Sequence, residues 1–278
     1  MINCCAAPFR RAVGRWRIGA PAPNPLGGRG KKSTHLPPAG RREKAMSECT
    51  MVVLAAGRGE RFGGTLPKQY LPLHGQPLLW HTLSRLHRHT HITRIVPVIS
   101  PTGEELWQQI LQPLLNTLPK VTPPLLGGTE RQYSVFKALL ALNLADDAWI
   151  GIHDAARPLV DDDLLERLLR AREQGDAIIP TLPASDTVKR VDRHGQVVAT
   201  LDRTVIHLAQ TPQLFRFGQI LHAHRQAEAD RFIGTDDASL VERLSLPVMV
   251  VPGSARNIKI THPLDRAWAE QLLQEEKS

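Results

Sequence analysis

From residue 51 onward, short apolar runs alternate with amphipathic stretches, and this alternation limits the fold more than any other feature of the chain. Met51–Ala56 is an apolar run ending in glycines. "PLLWHTLSRLHR" carries Leu79, Leu83 and Leu86 at helical spacing, "RIVPVIS" reads as a strand and "EELWQQILQPLL" as a helix. "TERQYSVFKALLALNL" puts Val135, Leu139 and Leu142 on one helical face. "AWIGIHD" then reads as a strand, "DDDLLERLLRAREQG" as a helix with an acidic first turn, and "DAIIPTL" as a strand. Strands separated by helices need crossover connections, which predicts an α/β fold with a mainly parallel sheet. The alternation stops at "DTVKRVDRHGQVVATLD", which reads as a hairpin arm over about 184–206, turning at "DRHG". Beyond it come "TPQLF", helical stretches at about 216–229 and 236–244, strands at "LPVMVVPG" and "NIKIT", and a closing helix from Pro263.

The first strand ends in "VVLAAGRGERFGGTLPKQY". In an open α/β sheet, ligands bind beyond the carboxyl ends of the strands. Glycines there let backbone N–H groups converge on phosphate oxygens, and Arg61 and Lys68 supply positive charge for a phosphate chain. Lys68 lacks the GK[ST] context of a Walker loop, and "GRGERFG" spaces its last glycine one residue too far for a dinucleotide fingerprint. The histidines of "HRHTH" (His87, His89, His91) and "LHAHR" (His222, His224) are two residues apart, so neighbours do not share a helix face and no metal site is expected of them.

Six motifs then occur in a fixed order: the opening loop, "GGTERQYSV", "HDAARP", "AQTPQLF", "TDDAS" and "NIKIT". Together, over about residues 50–276, they resemble the 2-C-methyl-D-erythritol 4-phosphate cytidylyltransferases of the non-mevalonate isoprenoid pathway. The resemblance implies a Rossmann-like nucleotidyltransferase sheet with helices on both faces and a projecting β-hairpin arm. It implies transfer of CMP from CTP to the polyol phosphate, with Mg²⁺ or another divalent cation held largely by the triphosphate. By resemblance, Arg61 and Lys68 are the catalytic pair, and Ala55, Ala56, Gly57, Gly59, Gly128, Ser134 and Asp154 bind CTP, Asp154 also standing near the metal. Ala155, Arg157, Thr187, Arg203, Thr211, Thr235 and Lys259 would bind methylerythritol phosphate, Thr187 and Arg203 by reaching into a partner subunit, which implies a homodimer through the arm. Thr129 and Tyr133 stand where some relatives have an acid, and no role is carried to them. The rival readings are a ribitol 5-phosphate cytidylyltransferase and a non-catalytic nucleotide-binding module. The small Ala155 and Ala156 weigh against the first, and the presence of both Arg61 and Lys68 against the second.

The formal charge of +8 is unevenly placed. Residues 1–45 hold ten of the 35 Lys and Arg but one acid, Glu43, so the other 25 cations meet 26 acids. A body so close to neutral lacks the basic footprint of a nucleic-acid-binding protein. Residues 1–46, rich in Pro, Gly and Arg, read as a disordered basic extension, with the cytidylyltransferase domain over 47–278. The extension is explained by a start upstream of Met46 or Met51, by a plastid-type transit peptide, or by an anionic partner. No apolar run reaches the roughly 18 residues that span a bilayer. Cys4, Cys5 and Cys49 cluster near the N-terminus, where they cannot staple the body, and a reducing cytoplasmic setting is expected.

Overall fold

The computed structural model describes residues 48–57, 62 and 66–276. The extension over 1–46 lies outside the described residues, as do Gly59 and Arg61. Among the described residues, the elements in chain order are β1 (Cys49–Ala55), α1 (Leu78–Arg88), β2 (Ile92–Ile99), β3 (Leu125–Leu126), α2 (Arg131–Ala141), β4 (Trp149–Asp154), α3 (Asp162–Arg170), β5 (Ala177–Pro183), β6 (His207–Ala209), β7 (Gln213–Arg216), α4 (Phe217–Ala229), α5 (Asp237–Arg243), β8 (Met249–Pro252) and α6 (Pro263–Glu275).

Eight strands form one sheet in the order β6-β5-β7-β4-β1-β2-β3, with β8 on the far side of β5. The β1–β2, β1–β4, β2–β3 and β5–β8 pairs are parallel, as the alternation predicts. β7 departs from this pattern, lying antiparallel between β4 and β5. It is the "TPQLF" segment, which periodicity alone left unassigned because its apolar run is so short. The arm leaves the end of β5 and returns as β6, antiparallel to it.

Along β1, side chains alternate between the two faces as a pleated strand requires. Met51, Val53 and Ala55 pack with Leu79, Leu83 and Leu86 of α1 and with Leu164, Leu165 and Leu168 of α3. Val52 faces the other way, toward Val135 and Leu139 of α2, Ile220 of α4 and Val241 of α5. Burying a leucine of this kind contributes about 1.5–3 kcal/mol, so the two layers hold the sheet from both sides. α3 starts where Asp161 accepts a hydrogen bond from the Leu164 N–H at 2.7 Å, with Asp162 and Asp163 in its first turn. Carboxylates suit that end of the helix dipole.

Two expectations are corrected. The helix read over "EELWQQILQPLL" is α-helical only at Glu104–Leu106, then widens into a π turn at Trp107–Leu111 and tightens to 3-10 at Gln112–Thr117. Pro113 has no N–H to donate, so a regular ladder cannot run through it. "NIKIT" is not a strand: it crosses the loops at the sheet end, where Ile260 N–H donates to Ala156 O at 2.8 Å. Buried Ile260 anchors it, packing with Leu73, Leu78 and Leu159 against Ala269 and Leu273 of α6.

The arm forms the expected two-stranded hairpin, Lys189–Val191 against Val197–Thr200. Asp192 closes its turn by accepting from the N–H groups of His194 and Gln196, and Gly195 takes φ +83°, a conformation that favours glycine. Its surface is less polar than the sequence suggests, since Val191, Val197 and Val198 are about half exposed.

Candidate active site

The parallel strands β1, β2 and β4 end side by side, because Leu54 pairs with Asp154 and Ala55 with Ile99. Their carboxyl ends open into a cavity of about 1130 Å³. Ala55, Ala56, Gly57, Lys68, Gly128, Ser134, Asp154, Ala155 and Lys259, all singled out from the sequence, line it. Segments up to about 200 residues apart in the chain therefore meet at one edge of the sheet.

Each wall has a local cause. Gln69, buried behind Lys68, donates to the carbonyls of Ala55 (2.7 Å) and Gly57 (3.2 Å), tying the lysine segment to the end of β1. Lys68 Nζ donates to Ile260 O at 2.8 Å, so the "NIKIT" segment holds the lysine at the cavity. Asp265 of α6 accepts from the N–H groups of Thr261 and His262, both at 2.7 Å, and fixes the same segment from the other side. The turn before α2 is crowded: a Cβ on Gly127 would lie 2.7 Å from Ser134 Oγ and 2.8 Å from Ala56 Cβ. Ser134 Oγ accepts from Gly128 N–H and donates to Glu130 O, each at 3.0 Å, so the serine shapes this turn as well as lining the cavity.

Charge is concentrated at Asp154. Its Oδ2 lies 2.7 Å from Lys259 Nζ, and its Oδ1 lies 3.4 Å from Arg131 Nε. Burial alone would raise its pKa, but Arg131, Lys259 and Arg157 outweigh that effect and hold the carboxyl well below the usual carboxylate range. Asp154 N–H donates to Thr211 Oγ1 at 3.0 Å, and Thr211 Oγ1 meets His153 Nδ1 at 3.0 Å. His153 is fully buried, and desolvation lowers its pKa to about 4.

Arg157 and Thr211 lie behind the cavity wall rather than on it. Arg157 donates to Asn257 O at 2.7 Å, and Asn257 Nδ2 donates to Thr211 O at 2.8 Å. Thr235 is exposed and lines a second cavity of about 80 Å³ with Arg131 and Asp237. Thr187 and Arg203 are exposed at the arm, where Arg203 donates to Ser185 O at 2.7 Å across its base. Sequence reasoning missed Arg131, Lys137 and Gln69. "GGTERQYSVFK" and "PKQY" contain them, but nothing in their spacing separates a cavity-facing side chain from a solvated one.

A family model described as 2-C-methyl-D-erythritol 4-phosphate cytidylyltransferase (IspD) matches residues 49–275. The chain belongs to this family. An enzyme of that name from Symbiobacterium thermophilum is 42% identical over 227 residues, covering 82% of this chain and 93% of its own. One from Chromobacterium violaceum is 44% identical over 224 residues, covering 80% and 96%. Among solved structures, the Francisella tularensis enzyme superposes with a TM-score of 0.70 at 33% identity, covering 81% of this chain and 99% of its own. The opening loop, "GGTERQYSV", "HDAARP" and "NIKIT" contribute lining residues to the main cavity of this cytidylyltransferase family member, while "TDDAS" lines the smaller one.

Proposed function

We propose that the protein transfers CMP from CTP to 2-C-methyl-D-erythritol 4-phosphate, releasing pyrophosphate and forming 4-diphosphocytidyl-2-C-methyl-D-erythritol. The observation that carries this reading is the meeting of Lys68, Lys259, Arg131 and ionised Asp154 at the glycine-edged end of β1 and β4. An oxygen of the methylerythritol phosphate attacks the α-phosphorus of CTP. The new P–O bond closes the diphosphate link, while the bond from the α-phosphorus to the oxygen it shares with the β-phosphate breaks and its electron pair leaves with pyrophosphate. A phosphate monoester is already largely dianionic at pH 7, so no side chain has to take a proton. Lys68 and Arg61 stabilise the charge that builds on the five-coordinate phosphorus, and the Gly128 turn takes the base.

Asp154 fits a divalent cation carried mainly by the triphosphate, because it offers hard, ionised carboxylate oxygens at the cavity. Such an ion, Mg²⁺ by preference, would neutralise phosphate charge and orient the triphosphate. Lys259 then turns from Asp154 toward the anionic substrates. We assign the active form as a homodimer in which Thr187 and Arg203 serve the partner's site, because the arm's exposed valines need a covering surface. We place the reaction in the cytoplasm, in keeping with the buried Cys49 thiol, which is free of any disulfide. Ala155 and Ala156 line the cavity beside Asp154 and favour methylerythritol phosphate over ribitol 5-phosphate.

Incubation with CTP, Mg²⁺ and each polyol phosphate in turn tests the proposal by pyrophosphate release. Release with methylerythritol phosphate well above ribitol phosphate is expected, and the reverse order would overturn the substrate assignment.

A further inference from the structure

Behind Asp154 runs a line of alternating charge that the reaction scheme does not use. Arg131, the first residue of α2, is shared between two carboxylates: Asp154 Oδ1 is 3.4 Å from its Nε, and Asp237 Oδ2 is 2.7 Å from its NH2. Asp237 Oδ1 in turn lies 3.2 Å from His224 Nε2. The side chains of Asp237 and His224 are 1% and 0% exposed, and the His224 ring stacks on Phe136 at 6.0 Å. A cation in the first turn of a helix opposes the helix dipole, so Arg131 is held there by the carboxylates and not by the helix. Burial works against the charges of Arg131 and Asp237, yet their mutual attraction outweighs it and keeps both ionised.

We propose that Asp237 is a positioning residue of the active site: by occupying the NH2 of Arg131, it keeps Arg131 from closing onto Asp154 as a bidentate pair and so leaves Asp154 directed at Lys259 and the cavity. A guanidinium presents a planar fork that takes a carboxylate through two parallel bonds when both donors are available. Here the NH2 end of the guanidinium is turned to Asp237, and only the longer Nε contact reaches Asp154. His224 fixes the remaining oxygen of Asp237, which sets the angle at which the carboxylate meets the arginine. The inference rests on the cytidylyltransferase reading and assigns to it residues on α4 and α5, outside the cavity wall that carries the chemistry.

A double-mutant cycle tests it, read as kcat/KM with CTP and methylerythritol phosphate and, separately, as CTP affinity by calorimetry. Asp237→Asn keeps the shape and removes the charge, while Arg131→Lys keeps the charge but loses the planar fork that faces the two carboxylates. Each single substitution is expected to lower kcat/KM by about tenfold, and the double by about tenfold also, because both break one device. A double variant reduced by the product of the two, about a hundredfold, would show independent action and overturn the proposal, as would an Asp237→Asn enzyme with wild-type kcat/KM. Should Asp237→Asn fail to fold in a thermal melt, His224 decides. His224→Gln, which can still donate to Asp237, is expected to retain activity that His224→Ala loses, whereas equal activity of the two contradicts the proposal. If the wild-type protein makes no diphosphate product with methylerythritol phosphate, the functional reading fails, and the calorimetric cycle still decides whether Asp237 and Arg131 act together.

Discussion

Lys68 shows what a single residue contributes here. It stands beyond Pro67, its neighbour Gln69 is pinned to β1, and its own ammonium is held by Ile260 O. Such preorganisation lets a charge act on a transition state without having to be moved into place. Lys68→Ala is therefore expected to cut turnover by at least about a hundredfold with the melting temperature nearly unchanged, and Arg61→Ala to do the same; steady-state kinetics beside a thermal melt checks both. His153 gives a prediction in pH. Its folded pKa is about 4 against 6.5 for an unperturbed histidine, so between those values the unfolded chain binds a proton that the folded chain does not. Stability then falls as pH drops from 6.5 toward 4, with a slope of up to about 1.4 kcal/mol per pH unit from this one group. Denaturant melts across that window should show it, and His153→Gln should flatten it. Asp154 adds in the same direction at lower pH: its carboxyl is depressed in the folded state, so the stability it contributes is lost as pH falls below the ordinary carboxylate range. The place of Lys68 at the cavity was legible in the sequence because glycines and a proline frame it. Arg131 and Asp237 were not, because an ion pair between α2 and α5 has no signature until the fold brings residues 106 positions apart together.

At the scale of elements, periodicity revealed the helices that carry a leucine stripe and missed the short buried strand β7. α1 and α3 carry leucines at helical spacing and appear where expected. β7 is four residues long and is a strand because β4 and β5 offer it edges on both sides, which a local pattern cannot express. "NIKIT" has a strand's composition but spends its backbone on loops, and that irregular course lets Lys259 face Asp154 while Ile260 faces the core. The arm has little support from its own packing: an isolated two-stranded hairpin is marginal in water, and among the described residues its strands pair only with each other. A second copy of the chain is the partner proposed for it. On that account Arg203→Ala raises the KM for methylerythritol phosphate and leaves CTP binding nearly untouched. Mixing Arg203→Ala with Lys68→Ala after subunit exchange should restore part of the activity, since some heterodimers carry one site with both residues native. A mixture that stays inactive although heterodimers have formed would place Arg203 in its own chain's site.

For the whole molecule, four of the six motifs meet at one cavity because β1, β2 and β4 are parallel and end together. Among the described residues, those lining that cavity lie at Leu54 or beyond, and the positive excess of the chain lies before residue 46. Removing residues 1–45 is accordingly expected to leave kcat/KM and melting temperature nearly unchanged, and a large loss of either would show that the extension contributes to the folded domain. The central claim concerns which atom attacks which. The direct measurement is phosphorus NMR of one reaction containing the protein, CTP, Mg²⁺ and methylerythritol phosphate labelled with ¹⁸O in its phosphate. The account predicts a diphosphate diester with the label in its bridging oxygen, formed in equal amount to pyrophosphate. Pyrophosphate appearing with free CMP, or a diester whose bridge is unlabelled, would contradict it.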